Sequence, residues 1–450
     1  MYRYLLLWLS KSSEEDNMSK FSKVIVAVMM IMLLTSFAWS AGKQESQESA
    51  EVKELAVFSP VHHYMDALKQ KFGEFEASSG IKIKLIELPE EEFYKKTTIE
   101  LSSGKPTFDV FLLNQGFTGQ YIGAGWVEQL DPNLNDPNQT SKEYDIKDFP
   151  PGAMSRPTFD GKIYGIPATV DPQIYFYRKD IMADSGINAP KTMDEVYNAA
   201  VKIDKAYPDV AGIANRLARG AGSFWPWLGF VYDYQGQWID PDLGVHITDP
   251  KTIAATDMYV KLLKDAGPPT ALNYGWYEVL SSFQAGKSAM LMDANSWISA
   301  FQDKEKSAVV GKVGASVMPA GPDGYIQAAG GCSWMLAITA ASQKKEAAWK
   351  FIEWATSKKT ALYVAVESGN VSRHSTWSEP EFIKKYPYPD WIEASSSTTN
   401  DYNNTYYMTT HPKLGALGEI IDISLQNIYM GADVKEELTK AEKATKELLE

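Results

Sequence analysis

Apolar residues recur along the chain with two periods, and the alternation between them predicts the fold before composition is considered. Leu55-Ala56-Val57-Phe58 is a short apolar strand, and Met65, Leu68, Phe72 and Phe75 then recur at helical spacing up to Gly80, a suitable helix stop. Ile81, Ile83 and Leu85 alternate as a strand, a helical stretch covers Glu90 to Ser103, and Asp109–Leu113 is the continuous apolar run of a buried parallel strand. Strand, helix, strand, helix, strand is the α/β signature. From Ile163 to Tyr177 the texture changes to alternating apolar positions with two prolines, the mark of a chain crossing between lobes. Thr192 with Glu195 three residues on forms a capping box for the next helix. The Gly- and aromatic-rich stretch from Asn215 to Tyr234 reads as an irregular loop near a site. Helices fit Lys251–Ala266 and Tyr277–Ala285; Met290–Met292 and Ser333–Ile338 fit strands; Ala347–Trp354 and Val434–Leu449 fit amphipathic helices. No repeat of about 20–50 residues interrupts this pattern.

The N-terminus has a pattern of its own. Val24 to Phe37 is an apolar run preceded by Lys20 and Lys23 and followed by Ala38-Trp39-Ser40, which reads as a secretory signal cleaved after Ser40. A spanning helix needs about 20 apolar residues, so the run is short for an anchor. Residues 1–40 are therefore expected to be an upstream extension and signal, with Met18 a natural start, and 41–53 a flexible polar tether. No cysteine follows the run, so a lipidated N-terminus is not expected.

Composition narrows the function. The 450 residues carry 44 Lys+Arg against 57 Asp+Glu, a formal charge of −13, and no basic run, which argues against nucleic acid as a partner. Cys332, the single cysteine, forbids an internal disulfide and any multi-cysteine metal centre, and is expected to pack as a small apolar residue. Gly286-Lys287-Ser288 ends like a phosphate loop, but the glycine needed five residues earlier is Ser281. The adjacent His62-His63 pair lacks partners at ligand spacing, so neither metal nor cofactor is expected. Carboxylates are too numerous for sequence to refute a secreted glycosidase. Aromatic residues make up 12% of the chain and can supply flat faces to a ligand.

Strand ends nominate binding residues, because ligands of open α/β sheets lie beyond the carboxyl ends of the strands. This selects His63 after the first strand and Asn114 and Gln115 after the third. Trp225, Trp276 and Trp334, in loops or at a crossing, are candidates for stacking on a sugar, with a core position equally open for each.

Several segments together resemble the family 1 extracellular solute-binding proteins of ATP-binding-cassette importers. They are Tyr164-Gly165-Ile166-Pro167, Tyr175–Asp180 and Pro190–Glu195, then Phe283–Met290, then Ala347–Ile352, in the family's order over roughly residues 54–450. Gly267-Pro268-Pro269, Met292-Asp293-Ala294 and Trp354–Lys358 further resemble the sorbitol- and mannitol-binding branch. The resemblance implies a two-lobed α/β fold of the type II periplasmic-binding-protein kind, each lobe a sheet flanked by helices, joined by a multi-strand hinge. Lobe I is expected from 54–168 and 337–372, lobe II from 169–330 and 373–450, with crossings at Tyr164–Asp171 and Gly330–Leu336. It also implies ligand contacts at Asp171, Asp293, Trp297 and Arg219, and Arg373 stands where the chain crosses a third time. The function implied is a monomeric, non-enzymatic periplasmic protein that captures a sugar or sugar alcohol for a membrane permease. A secreted glycosidase and a ligand-sensing receptor subunit are the alternatives.

Overall fold

The computed structural model describes residues 52–220, 222–240, 242–402 and 411–450, apart from the side chains of Glu91 and Cys332. The expected secretory segment, almost all of the tether and the packing of Cys332 lie outside the described residues.

Among the described residues ten strands form two main sheets and one short ladder. β1 (Glu54–Pro60), β2 (Lys82–Leu88), β3 (Val110–Asn114), β6 (Ile166–Val170) and β10 (Cys332–Ile338) make a five-stranded sheet in the order β2-β1-β3-β10-β6. β4 (Thr158–Phe159) and β5 (Lys162–Ile163) pair with each other. β7 (Gln173–Arg178), β8 (Met290–Ala294) and β9 (Val313–Ser316) form a three-stranded sheet in the order β8-β7-β9. β1 runs parallel to β2 and β3, as the strand–helix alternation predicts, whereas β10 is antiparallel to β3 and β6. Leu55, Val57, Val110, Phe111 and Leu112 are fully buried, because helices cover both faces of a parallel sheet and no position is left for water.

Around the three-stranded sheet a second core gathers Tyr175, Phe176, Met290, Leu291 and Met292 with the helices Met193–Ala206, Phe224–Asp233, Pro250–Ala266 and Leu414–Tyr429. The Thr192 capping box is formed: the Glu195 N–H donates to Thr192 Oγ1 and the Thr192 N–H to Glu195 Oε2. Two expectations need correction here. The Asn215–Tyr234 stretch is not wholly irregular, since Phe224–Asp233 is a buried helix whose apolar residues face inward all round. The crossings are also shorter than expected. Val170 and Cys332 still pair within the first sheet, so these two crossings shorten to Asp171–Pro172 and Ala329–Gly331. The boundaries placed after 168 and before 337 therefore fall inside β6 and β10, because hydrogen-bonded strands carry the first sheet right up to the crossing.

These crossings lie side by side. The Asp171 N–H donates to Gly331 O (3.0 Å) and the Gln173 N–H to Ala329 O (3.0 Å). Gly330 and Gly331 have φ of +156° and +135°, a region L-residues avoid, and a Cβ on Gly330 would stand 2.8 Å from Pro172 Cα. Arg156 fastens this pair to the first sheet's side by donating from Nη2 to Gly330 O (2.7 Å). A third passage follows the helix Lys358–Ser368, which packs on the helix His63–Leu68. Gly369 reaches Ser296 of the second core, and Arg373 then returns to bind Thr356 O (2.7 Å), Tyr144 O (2.9 Å), Asp145 O (3.0 Å) and Asp148 Oδ2 (3.3 Å).

Replacing Gly330 by alanine should cost about 1–3 kcal/mol, since the new Cβ meets backbone and the φ is strained. Arg373→Leu should cost more, about 3–5 kcal/mol, because Asp148 is left buried without its cation. Urea unfolding of both variants checks the order; equal, near-zero losses would show that the crossings bear no load.

Candidate functional site

Where the two sheets meet at the crossings, each presents one wall of polar and aromatic side chains. The first wall begins at the end of β1. His62 caps the helix His63–Leu68, its Nδ1 accepting from the Tyr64 N–H (3.1 Å), and its ring stacks on His63 at 4.3 Å. An accepting ring nitrogen carries no proton, in keeping with the lowered pKa of His62, which burial causes first and the neighbouring His63 second. Burial also lowers His63, opposed by Asp171, Asp66 and the Asn370 carboxamide, although Asn370 Oδ1 has no partner at full hydrogen-bond geometry. Solvent still reaches the His63 ring while protein crowds it from several sides, as happens to a side chain on the wall of a cleft.

Trp334 on β10 is buried on the same wall. It stacks on Tyr94 with ring planes 4° apart, stands 5.5 Å from His62, and pairs across the ladder with Asn114. Asn114 itself is half-buried, and its Oδ1 is used by the Gly116 N–H (2.8 Å). Gln115 next to it keeps a buried Oε1 without a partner.

The second wall is built on an ion pair. Asp293 on β8 is fully buried and held bidentately by Arg216, whose Nε donates to Oδ2 (2.8 Å) and Nη2 to Oδ1 (2.6 Å). Burial raises the Asp293 pKa, with the Arg216 charge and hydrogen bonds and the Ala294 N–H acting against it. The guanidinium lies over Trp225 at 5.2 Å and Trp297 at 5.8 Å, so its charge is shared between one carboxylate and two aromatic faces. Trp225 Nε1 is buried without a partner. Between the walls, on the crossing, stands Asp171, whose charge is felt by both His63 and Asp293 and whose carboxylate makes no hydrogen bond among the described residues.

The structure thus brings His63, Asn114, Gln115 and Trp334 to one wall and Trp225, Asp293 and Trp297 to the other, with Asp171 between. Three sequence candidates fall elsewhere. Arg219 is exposed, and Arg216, three residues earlier in a non-helical segment, reaches the site and pairs with Asp293, because it directly follows the segment whose Ala214 bonds beside β8. Trp276 is nearly half-exposed at a helix start, edge-on to Tyr277 at 5.7 Å. Arg373 is fully buried with its guanidinium committed to three carbonyls and Asp148, so it anchors the third passage and offers nothing to a ligand. Sequence reasoning missed Arg216, Tyr94 and Asn370. The strand-end rule would have reached Arg216 had Ile213-Ala214 been read as an extended segment; nothing local marks Tyr94 or Asn370.

The Arg216–Trp225 loop is held from behind by Asp422 of the helix Leu414–Tyr429. Its Oδ1 accepts from the Phe224 N–H (2.7 Å), with the Ser223, Gly220 and Gly222 N–H groups also directed at it. Burial pushes this carboxyl up to about 7 against those donors. A depression of about 420 Å³ lined by residues between Ile187 and Lys202 contains none of the residues of the two walls. Among the described residues no group of three or more His, Cys, Asp or Glu could hold a metal ion, and no helix is long and apolar enough to cross a membrane.

Two lobes with polar and aromatic walls meeting at backbone crossings are the architecture of a binding protein for small solutes, and comparison with known proteins agrees. The chain belongs to the bacterial extracellular solute-binding protein family, which it matches over residues 59–362. It is 25% identical over 409 residues to an erythritol/L-threitol-binding protein of Mycolicibacterium smegmatis, covering 85% of this chain and 83% of that one. It is 28% identical over 315 residues to a mannitol-binding protein of Pseudomonas aeruginosa, covering 68% and 70%. Among solved structures, a solute-binding protein of Agrobacterium vitis with bound D-mannitol superposes with a TM-score of 0.73 at 27% identity, covering 88% of this chain and 98% of that one. One from Agrobacterium radiobacter in complex with ribitol gives 0.78 at 23% identity, with the same coverage. The fold is therefore the two-lobed type II solute-binding fold, in a family of extracellular binding proteins.

Asp422 makes stability depend on pH. Its folded pKa lies above the unfolded value of about 3.9, so its contribution is fully present below about pH 4 and is lost as pH rises through 7, by at most about 1.4 kcal/mol per unit. Asp422→Asn should flatten the fall in melting temperature between pH 5 and pH 7.5. Asp233 and Asp293, also raised by burial, are present in both proteins and cancel in the difference. An unchanged slope would remove Asp422 from this role.

Proposed function

We propose that the protein captures a neutral sugar alcohol or sugar outside the cytoplasmic membrane and presents it to the permease of an ATP-binding-cassette importer. The observation that carries this reading is the position of Asp171, an unspent carboxylate within electrostatic reach of a residue on each wall. A carboxylate accepts hydroxyl protons strongly, and the imidazoles, carboxamides and indole faces around it match the two faces of a polyhydroxylated chain. Charge supports a neutral ligand. His62 and His63 are held towards the neutral form, Arg216 is neutralised by Asp293, and Asp171 would repel an anion. The relatives whose names specify erythritol, threitol and mannitol support the same class.

Glycosidase chemistry is disfavoured by the same geometry. A second acid beside Asp171 exists in Asp293, but it is fully buried and both its oxygens are held by Arg216, so it reaches neither a glycosidic oxygen nor a water. The apolar Val24–Phe37 run with Ala38 and Ser40 supports export by a cleaved signal, and the acidic charge of −13 supports a soluble monomer. The glycine-containing crossing supports closure by a hinge, since a ligand touching both walls favours the closed arrangement by its differential affinity.

Mannitol, ribitol and erythritol should each be tried by calorimetry and thermal shift. At 100 times its Kd the true ligand stabilises by roughly 2.7 kcal/mol, a rise of several degrees. Asp171→Asn should weaken binding about 10- to 100-fold while leaving the ligand-free melting temperature nearly unchanged. D-gluconate, an anion of the same length as mannitol, should bind far more weakly. Tight gluconate binding, or no response to any neutral polyol, would overturn the assignment.

A further inference from the structure

We propose that Asn295 is a specificity-determining residue of this site, its carboxamide receiving one hydroxyl or an adjacent pair of hydroxyls of the ligand. The inference rests on the sugar-alcohol reading above and deepens it. Asn295 follows β8 directly, at the end of the three-stranded sheet where the chain crosses, two residues after Asp293 and two before Trp297. Its backbone is fully used. The N–H donates to Pro172 O on the crossing (3.1 Å), and the carbonyl accepts from Trp391 Nε1 (2.9 Å). Its side chain is not used at all: the residue is only 1% exposed, yet neither Oδ1 nor Nδ2 has a hydrogen-bond partner among the described residues.

Buried polar side chains are nearly always hydrogen-bonded, and one with both a donor and an acceptor left open requires an explanation. A leucine has the same branched heavy-atom skeleton and no polar group to desolvate, so the carboxamide is a liability to the ligand-free fold. A hydroxyl both donates and accepts, which makes it the natural complement of an amide that needs one partner of each kind. The neighbouring residues agree in chemistry. Gln173, whose β-partner Ala294 precedes Asn295, likewise keeps a buried Oε1 without a partner, although its Nε2 donates to Pro226 O (3.2 Å). Unpartnered amide oxygens thus stand on neighbouring strands at this end of the second sheet, and Asn295 alone of the two leaves its amide nitrogen open as well.

A residue that costs the free protein and serves the complex gives opposite signs in two measurements. In the full exported protein, Asn295→Leu should leave the ligand-free melting temperature equal or raise it by roughly 1–3 °C, while Kd for the alditol bound by the wild type rises at least about tenfold. Asn295→Ala, which cannot overpack, should show the same loss of affinity if the leucine variant folds poorly. If affinity is unchanged in both variants while the wild type binds, the carboxamide has no part in recognition and this inference fails alone. If both variants instead lose stability with affinity intact, the side chain holds a structural water and the inference likewise fails. A wild type that binds no alditol removes the sugar-alcohol reading itself, and this assignment with it.

Discussion

The structure depends on two backbone hydrogen bonds that hold Asp171–Pro172 against Ala329–Gly331. Among the described residues the chain passes between the first sheet and the second at these few residues and at Gly369–Arg373. Their pairing decides where Asp171 stands, and with it the one carboxylate that faces both walls. Close approach is possible only because Gly330 lacks a side chain: Pro172 occupies the place a Cβ would take. Arg156 and Arg373 secure the crossings from the side of the first sheet, each by donating to backbone carbonyls, so the hinge is bounded by rigid attachments.

Around that hinge the charges are arranged so that few are left for a ligand to neutralise. Arg216 spends its fork on Asp293 and its faces on Trp225 and Trp297; Asp422 spends its oxygens on the loop that carries Trp225; burial lowers the pKa of both histidines towards the neutral form. What remains open is mostly neutral: Gln115 Oε1, Trp225 Nε1, Gln173 Oε1 and the carboxamide of Asn295. A site whose unspent groups are neutral donors and acceptors, plus one carboxylate, selects by hydroxyl geometry more than by charge.

Local pattern made much of this legible. The parallel strands β1 to β3, the Thr192 capping box and the buried run at β8 follow from periodicity and capping chemistry, which act over a few residues and so are written locally. Strand ends led to His63 and to the Asn114–Gln115 pair on the same grounds, and the family motifs led to Asp171, Asp293 and Trp297. The misses have a common cause. Arg219 and Arg216 are equivalent in sequence terms, and it is the pairing of residues 211–215 alongside β8, with the Ala214 N–H on Met290 O and the Met292 N–H on Asn215 Oδ1, that brings the second to Asp293. Arg373 resembles a ligand-binding arginine until Tyr144, Asp145 and Asp148, more than 220 positions earlier, are placed around it.

By itself, then, the sequence determined the α/β class and the strand ends from which a site is built, because hydrophobic period and capping are short-range properties, while the resemblance of its motifs pointed to the family. Tertiary structure alone decided which arginine is paired, which tryptophans are stacked and which carboxamides are left open. Those outcomes depend on which distant groups share a buried space, and burial converts a side chain that water would satisfy anywhere on the surface into one that must find a partner.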